Sequence, residues 1–352
     1  MLKVALLGCG RIAQRHAELL GGGHISGARL SAVCDIDIPR AKNLSEKYGV
    51  KYFENLETMM SEVDIDIVSI LTPSGLHAAH TLQVAPYGKH IVVEKPMALT
   101  LKDADEMIKA CDKYQIKLFV VKQNRYNLPV QKLHEALRAG RFGKLVIGTV
   151  RVRWCREQKY YDQDEWRGSW AMDGGVFTNQ ASHHVDLLEW LMGDVESVFA
   201  KSATQLVNIE VEDTGVAVLK FNNGALGIIE ATTAARPKDL EGSISILGEK
   251  GSVEIGGFAV NEIRHWQFKE SLPEDEVVRR DFSTNPPDVY GFGHKAYYEH
   301  VVECIKNNKR ALVDGLEGRK SLELITAIYE SIETGKEIPL HFKPEKCRLG
   351  HM

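Results

Sequence analysis

Lys3-Val4-Ala5-Leu6-Leu7 is a short apolar run, and Gly8-Cys9-Gly10-Arg11-Ile12-Ala13 follows it with nothing between. A buried strand that passes directly into G-x-G-x-x-A must turn tightly at the first glycine. The second glycine admits a pyrophosphate close to the backbone, and the small Ala13 lets the next helix pack near the strand. That helix begins with unbonded amides, which favour an anion. Roughly twenty residues further on, Arg29-Leu30-Ser31-Ala32-Val33-Cys34 reads as a second strand ending at Asp35. A carboxylate there accepts hydrogen bonds from a ribose diol and repels a 2′-phosphate. Ile36 follows rather than a basic residue, so NAD is favoured over NADP. Gly8, Gly10, Arg11, Ile12 and Asp35 are the first cofactor candidates.

The alternation continues. Helices are predicted over Pro39 to Tyr48 and Asn55 to Ser61, and a buried strand over Asp66 to Leu71. Thr72-Pro73-Ser74-Gly75-Leu76-His77 ends that strand and opens a helix to Ala85. The strand His90 to Val93 then runs into Glu94-Lys95-Pro96. Thr100 caps a helix to Lys113, and Lys117 to Lys122 is a further strand. Strand and helix in strict turn imply right-handed parallel βαβ units and a doubly wound Rossmann sheet. Lysine is rarely buried without a partner. At the carboxyl end of an internal strand, where ligands collect in such sheets, Lys95 is a candidate for chemistry. The plain alternative is a strand-end lysine snorkelling to solvent.

Beyond a helix over Asn127 to Ala139 the period changes to two. Val146, Gly148, Val150, Val152 and Trp154 fall on one face of a strand, and Arg151, Arg153 and Cys155 on the other. Further strands over Asp194 to Leu206, Thr214 to Phe221, Ala225 to Ala234, Gly242 to Leu247 and Ser252 to Ile255, joined by short turns, indicate a mostly antiparallel open sheet. Helices at about Tyr290 to Asn307 and Glu317 to Thr334 follow. The expected fold class is therefore α/β plus α+β: residues 1–123 bind the dinucleotide, 124–342 bind substrate and mediate oligomerisation, and 343–352 are a tail. A large open sheet face is a common self-association surface, so a homodimer or homotetramer is expected.

Asp173-Gly174-Gly175 precedes Val176-Phe177-Thr178-Asn179-Gln180-Ala181-Ser182-His183-His184-Val185-Asp186. Read as one helix opened by two glycines, this puts Asn179 and His183 at i and i+4, on one face, with Asp186 a turn further. Histidine is the side chain whose ordinary pKa suits proton transfer near neutrality. A helical histidine packed against a neighbour is the bland reading, and His184 serves as the internal control.

Gly8-x-Gly10-x-x-Ala13, Asp35, Thr72-Pro73 with His77, and Glu94-Lys95-Pro96 together resemble the Gfo/Idh/MocA oxidoreductase family, over nearly the whole chain. The resemblance implies that Thr72, Pro73, His77, Glu94, Lys95 and Gln123 border NAD, and that Lys95 faces the nicotinamide and the substrate hydroxyl. It also implies a cis Lys95–Pro96 peptide, and His183 as general base. Many relatives carry Asp-x-x-x-His-x-x-Asp; here Asn179 replaces the first acid. An amide orients a hydroxyl or the imidazole but cannot stabilise imidazolium by charge.

Between sheet and helix lie Arg151 through Tyr161 and Trp166-Arg167-Gly168-Ser169-Trp170, cations interleaved with aromatics, with Lys122 to Asn127 adding more. Such a set suits a ligand with phosphates or a carboxylate and a ring to stack on. A solvated loop balanced by Glu157, Asp162, Asp164 and Glu165 is the alternative. The wording resembles the branch of the family that oxidises UDP-N-acetylglucosaminuronic acid (UDP-GlcNAcA) at C3 for surface polysaccharide synthesis. That resemblance implies substrate contacts from Lys95, Arg125, Tyr126, Arg153, Arg156, Tyr160, Arg167, Trp170, Asn179 and His183. Competing readings are a free-sugar or inositol dehydrogenase, an NAD-dependent glycosidase, and a regulator that senses NAD.

Composition narrows the partners. A formal charge of −4 gives no reason to expect nucleic acid or a membrane surface. Six scattered cysteines without a CxxC pair, and no His spacing of a zinc site, point to a cytoplasmic protein with no metal.

Overall fold

The computed structural model describes residues 1–283 and 292–351. It divides into two compact units. The first comprises Met1–Val121 with His294–Arg319, and the second Lys122–Gly293 with Lys320–Met352.

In the first unit, strands β1 (Leu2–Leu7), β2 (Ala28–Cys34), β3 (Lys51–Phe53), β4 (Ile67–Ile70), β5 (His90–Val93) and β6 (Leu118–Val120) form one sheet. Its order is β3-β2-β1-β4-β5-β6, and every pairing is parallel. The sheet is buried on both sides, as the continuous apolar runs require: β4 and the last three residues of β5 are wholly inside. Helices α1 (Arg11–Gly21), α2 (Ile38–Tyr48), α3 (Leu56–Glu62), α4 (His77–Val84) and α5 (Leu101–Lys113) make the crossovers. Asp37, Asn55 and Thr100 cap α2, α3 and α5 with side-chain oxygens. The strand order reverses between β1 and β4, so the crevice for a ligand opens at their carboxyl ends.

One segment departs from the expected division at 123/124. His294–Arg319 belongs to the first unit: Tyr298 reaches His16 and Ser69 in its core, and the Val120 N–H donates to the Val313 carbonyl at 3.2 Å. The physical reason is the apolar edge of β6, which needs a cover that the preceding sequence does not supply. The expected helix start at Tyr290 lies outside the described residues.

The second unit is built on strands β7 (Leu145–Arg153), β8 (Val195–Ala203), β9 (Thr214–Phe221), β10 (Leu226–Thr232), β11 (Glu241–Gly248), β12 (Gly251–Gly256), β13 (Glu262–Phe268) and β14 (Ile338–Pro339). The order is β13-β12-β11-β7-β10-β9-β8-β14, antiparallel but for β7 with β10. Helix α6 (Leu128–Arg138), the single turn α7 (Gln158–Tyr161), α8 (Ser182–Met192), α9 (Glu274–Asp281) and α11 (Gly315–Thr334) from Lys320 onward accompany this sheet, whereas α10 (Gly293–Lys306) belongs from His294 onward to the first unit. Helix α8 packs on β7 and β11. Period two then sorts β7: Gly148, Val150 and Val152 are buried, whereas Arg151 and Arg153 occupy the other face. The tail is no appendage. Leu349 is buried, the N–H groups of Lys346 and Cys347 donate to Glu330, and the Gly350 N–H donates to the Trp170 carbonyl.

Candidate active site

At the end of β1, Gly8 has φ +100°, and a Cβ there would lie 2.8 Å from the Leu71 carbonyl group, so only glycine closes this turn. A Cβ on Gly10 would meet nothing within 4 Å, which leaves an open cradle over the first turn of α1. That turn carries no side-chain cap and no acid. Arg11 is exposed and Ile12 half-buried beside it. Asp35 is fixed by two backbone donors, Cys9 N–H to Oδ2 at 2.6 Å and Asp37 N–H to Oδ1 at 2.8 Å, which ties the glycine loop to the end of β2. Exposed Ile36 follows, and the nearby Arg40 is engaged by Asp37 at 3.0 Å. Open cradle, uncapped helix start and positioned carboxylate fit a dinucleotide with an unphosphorylated ribose.

Thr72 and Pro73 lie at the end of β4, with Thr72 Oγ1 2.9 Å from His80 Nδ1. His77, a candidate cofactor contact, is held between two backbone carbonyls. It is 1% exposed, with Nδ1 2.7 Å from the Pro96 carbonyl and Nε2 2.8 Å from that of Thr72. Burial pushes its pKa down, against the pull of those carbonyls. The Lys95–Pro96 peptide is cis, and Lys95 is half-buried.

Glu94 is buried beside two histidines. Its Oε1 sits 3.0 Å from His16 Nε2 and 3.7 Å from His294 Nε2, and its Oε2 accepts the Lys95 N–H at 3.0 Å. His16 Nδ1 bonds Tyr298 Oη at 2.6 Å, which bonds Ser69 Oγ at 2.9 Å. Burial alone raises the Glu94 carboxyl, but His16 and His294 outweigh it and hold it well below the usual carboxylate range. The three donor atoms are close enough to hold a cation. Hydrogen bonding accounts for the cluster, which anchors the backbone that bears Lys95.

In the second unit the expected single helix is broken. Val176–Gln180 is a π-helical turn and α8 begins only at Ser182, so Asn179 and His183 do not share one α-helical face. The cause is Glu212. Its Oε1 takes the Phe177 N–H at 3.1 Å and the Tyr329 hydroxyl at 2.8 Å, and its backbone carbonyl takes the Val176 N–H at 3.1 Å. Tyr329 Oη in turn accepts from Gly175 N–H at 3.1 Å and Thr178 Oγ1 at 2.9 Å. A side chain on Gly175 would occupy the space of the Glu212 carboxyl. Such π-turns occur often at functional sites.

His183 is 7% exposed, at the start of α8. His184 behaves as the control should: it is fully buried against Trp154, and burial pushes its pKa down to about 4. Asn179 donates through Nδ2 to the buried Asp173. Near it, Tyr160 Oη accepts from Arg167 Nη1 at 2.9 Å and Gln180 Nε2 at 3.0 Å. The Arg167 guanidinium lies over the rings of Tyr160 and Trp166, 4.8 and 4.5 Å from their centroids, and donates to Asp164. Arg156 lies over Trp154 and Tyr160 and pairs with Asp239 at 2.9 Å. The structure thus brings Asn179, Tyr160, Arg167 and Arg156 together.

Three other candidate ligand contacts are engaged within the protein. Arg125 is 3% exposed and grips Asp186 in a fork at 2.8 and 2.9 Å, with Lys122 3.6 Å from the same carboxylate. Arg153 lies on the face of β7 away from α8, paired with Glu230 at 2.6 Å and Glu241 at 3.4 Å. Trp170 is a core residue, stacked edge-on against Tyr329 and covered by Arg348 of the tail. Gln123 and Tyr126 lie on the short turn Gln123–Tyr126, Gln123 buried and Tyr126 half-buried. Sequence reasoning missed Asp173 and Glu212 altogether. Asp173 beside its glycine pair was the available signal, whereas nothing marked Glu212.

A parallel sheet with a glycine cradle and a fixed acid at the end of its second strand, followed by a mostly antiparallel domain carrying a histidine on a π-turn junction, is the architecture of a two-domain NAD-binding oxidoreductase. Residues 2–122 match the family model described as oxidoreductase family, NAD-binding Rossmann fold, and residues 134–340 match its C-terminal alpha/beta domain. The chain belongs to the Gfo/Idh/MocA oxidoreductase family. Among solved structures it is similar to the WlbA dehydrogenase of Bordetella pertussis in complex with NADH and UDP-GlcNAcA, at 44% identity, TM-score 0.90, covering 97% of this chain and 98% of that one. The WlbA dehydrogenase of Chromobacterium violaceum, with the same two ligands, matches at 47% identity and TM-score 0.90 over 97% and 96% of the two chains. Myo-inositol 2-dehydrogenase of Thermotoga maritima is 29% identical over 96% of this chain and 98% of that protein.

Proposed function

We propose that this protein oxidises the C3 hydroxyl of UDP-GlcNAcA to the ketone with NAD, in the cytoplasm, as a step in surface polysaccharide synthesis. The observation that carries the reading is the near-full-length match to two structures holding NADH and UDP-GlcNAcA, at 44% and 47% identity. The Tyr160, Arg156 and Arg167 cluster supports it, because stacked guanidiniums suit an anionic ligand.

NAD, when bound in the Gly8–Gly10 cradle beside Asp35, supplies the hydride acceptor. His183 takes the hydroxyl proton. The Lys95 ammonium hydrogen-bonds the same oxygen and stabilises the negative charge that grows there, an effect worth about 3 kcal/mol for one preorganised donor. Asn179 orients the sugar. Lys95→Ala and His183→Ala are each expected to lower kcat about 100-fold or more while leaving NAD affinity within a few fold. The assay follows reduced-nicotinamide absorbance with a panel of free and UDP-linked sugars. Near wild-type turnover in both variants would sink the mechanism. Preference for inositol or a free sugar would favour the inositol dehydrogenase reading, which the 29% relative keeps open. Aglycone release without net NADH would favour the glycosidase.

We also propose a homo-oligomer built on the open face of the second sheet. There Phe199, Val218 and Ile228 stand in register on β8, β9 and β10, exposed by 38%, 53% and 38%.

A further inference from the structure

Asp173 is 1% exposed, and both of its carboxylate oxygens are used. Oδ2 accepts the Gly168 N–H at 2.9 Å, and Oδ1 accepts Nδ2 of Asn179. A carboxylate has no proton to give, so only the NH2 end of the amide can face it. The carbonyl end of Asn179 is thereby turned toward Gln180, whose Nε2 lies 3.4 Å from Oδ1 and 3.0 Å from Tyr160 Oη. Tyr160 Oη accepts from Arg167 as well. An oxygen that accepts from two donors directs its own proton elsewhere, so Tyr160 retains a hydroxyl to give.

The π-turn itself does not hang on Asp173. Glu212 and Tyr329 hold the Gly175, Phe177 and Thr178 positions independently. Asp173 therefore controls which way the Asn179 amide faces without building the turn that carries it.

We propose that Asp173 is a positioning residue for substrate: it fixes Asn179 so that an acceptor, Asn179 Oδ1, and a donor, Tyr160 O–H, are offered side by side. That pair recognises a sugar hydroxyl next to an oxygen without a proton, such as a carboxylate or amide carbonyl. The inference rests on Asn179 contacting the sugar, as proposed above.

The test uses the full-length protein with NAD and UDP-GlcNAcA, comparing Asp173→Asn, Asn179→Ala and the exchange Asp173→Asn/Asn179→Asp. Measured are kcat, KM for each ligand, thermal midpoint, NADH affinity, and calorimetric UDP-GlcNAcA affinity of the NADH-loaded protein. Asp173→Asn is expected to lower kcat/KM for the sugar at least about tenfold, the factor of one charge-assisted hydrogen bond. The thermal midpoint should stay within a few degrees and NADH affinity within twofold. The exchange, which again faces an amide with a carboxylate and keeps an acceptor at 179, should recover most of the loss. Sugar kcat/KM within twofold of wild type in Asp173→Asn, or a loss matched by NADH affinity and midpoint, overturns the proposal. Normal turnover in Asn179→Ala overturns instead the reading of Asn179 as a sugar contact. Failure of the wild type to bind or oxidise UDP-GlcNAcA overturns the substrate assignment and this inference with it.

Discussion

Glu212 gives the sharpest physical prediction. Its carboxyl is 4% exposed, and burial pushes its pKa up to about 7, against the hydrogen bonds it accepts from Phe177 and Tyr329. One oxygen carries those bonds, while Oε2 is buried with no hydrogen-bond partner among the described residues. Ionisation would leave charge on that orphan oxygen. The unfolded chain releases the proton near the ordinary 4.5, the folded chain only near 7. Between those values the native state holds a proton that the unfolded state has lost, so stability falls as pH rises through the window. Below 4.5 the contribution is complete, and above 7 it is gone. At about 1.4 kcal/mol per pH unit the loss is about 3 kcal/mol. Glu212→Gln keeps the accepting oxygen and cannot ionise. Melting both proteins from pH 4.5 to 8.5 at constant ionic strength should show the variant gaining on wild type by several degrees across the window, then running parallel. A difference that stays flat, or that shrinks as pH rises, refutes the reasoning.

Two further perturbations test other parts of the structure. Asp186→Asn removes the carboxylate that Arg125 and Lys122 share in a buried site, and should cost about 3–5 kcal/mol in chemical denaturation, because two cations lose their counter-charge; a loss below about 1 kcal/mol would contradict that burial argument. Val218→Glu introduces charge into the exposed Phe199–Val218–Ile228 row. Analytical ultracentrifugation should show a smaller species than wild type, and an unchanged mass would place the self-association surface elsewhere.

The first sheet was legible because its constraints are local. Gly8 is required by a backbone angle and a carbonyl 2.8 Å away, and Asp35 sits where a strand must end, so residue type and spacing carry the geometry. The returning segment His294–Arg319 was not legible, since its partners His16 and Ser69 lie hundreds of positions earlier. A shorter but still non-local separation defeated the helix reading around Asn179: Glu212 takes the Phe177 N–H from 35 residues away. An i, i+4 argument assumes that backbone amides bond within the helix, and no local pattern warns that a carboxylate will intercept one.

The cations show how the fold gives one residue type different tasks. Arg125, Arg153 and Arg167 look alike in sequence, and each offers the same fork of donors. Arg125 directs its fork to a buried Asp186, and Arg153 directs its own to Glu230 and Glu241. Arg167 also has a carboxylate, Asp164, but gives another N–H to Tyr160, whose oxygen then accepts twice. Its effect on a ligand passes through that phenol: the guanidinium polarises the O–H that remains to donate. A charged side chain is thus a ligand contact only to the extent that its folded neighbours leave donors unspent, and that remainder is a property of the three-dimensional arrangement.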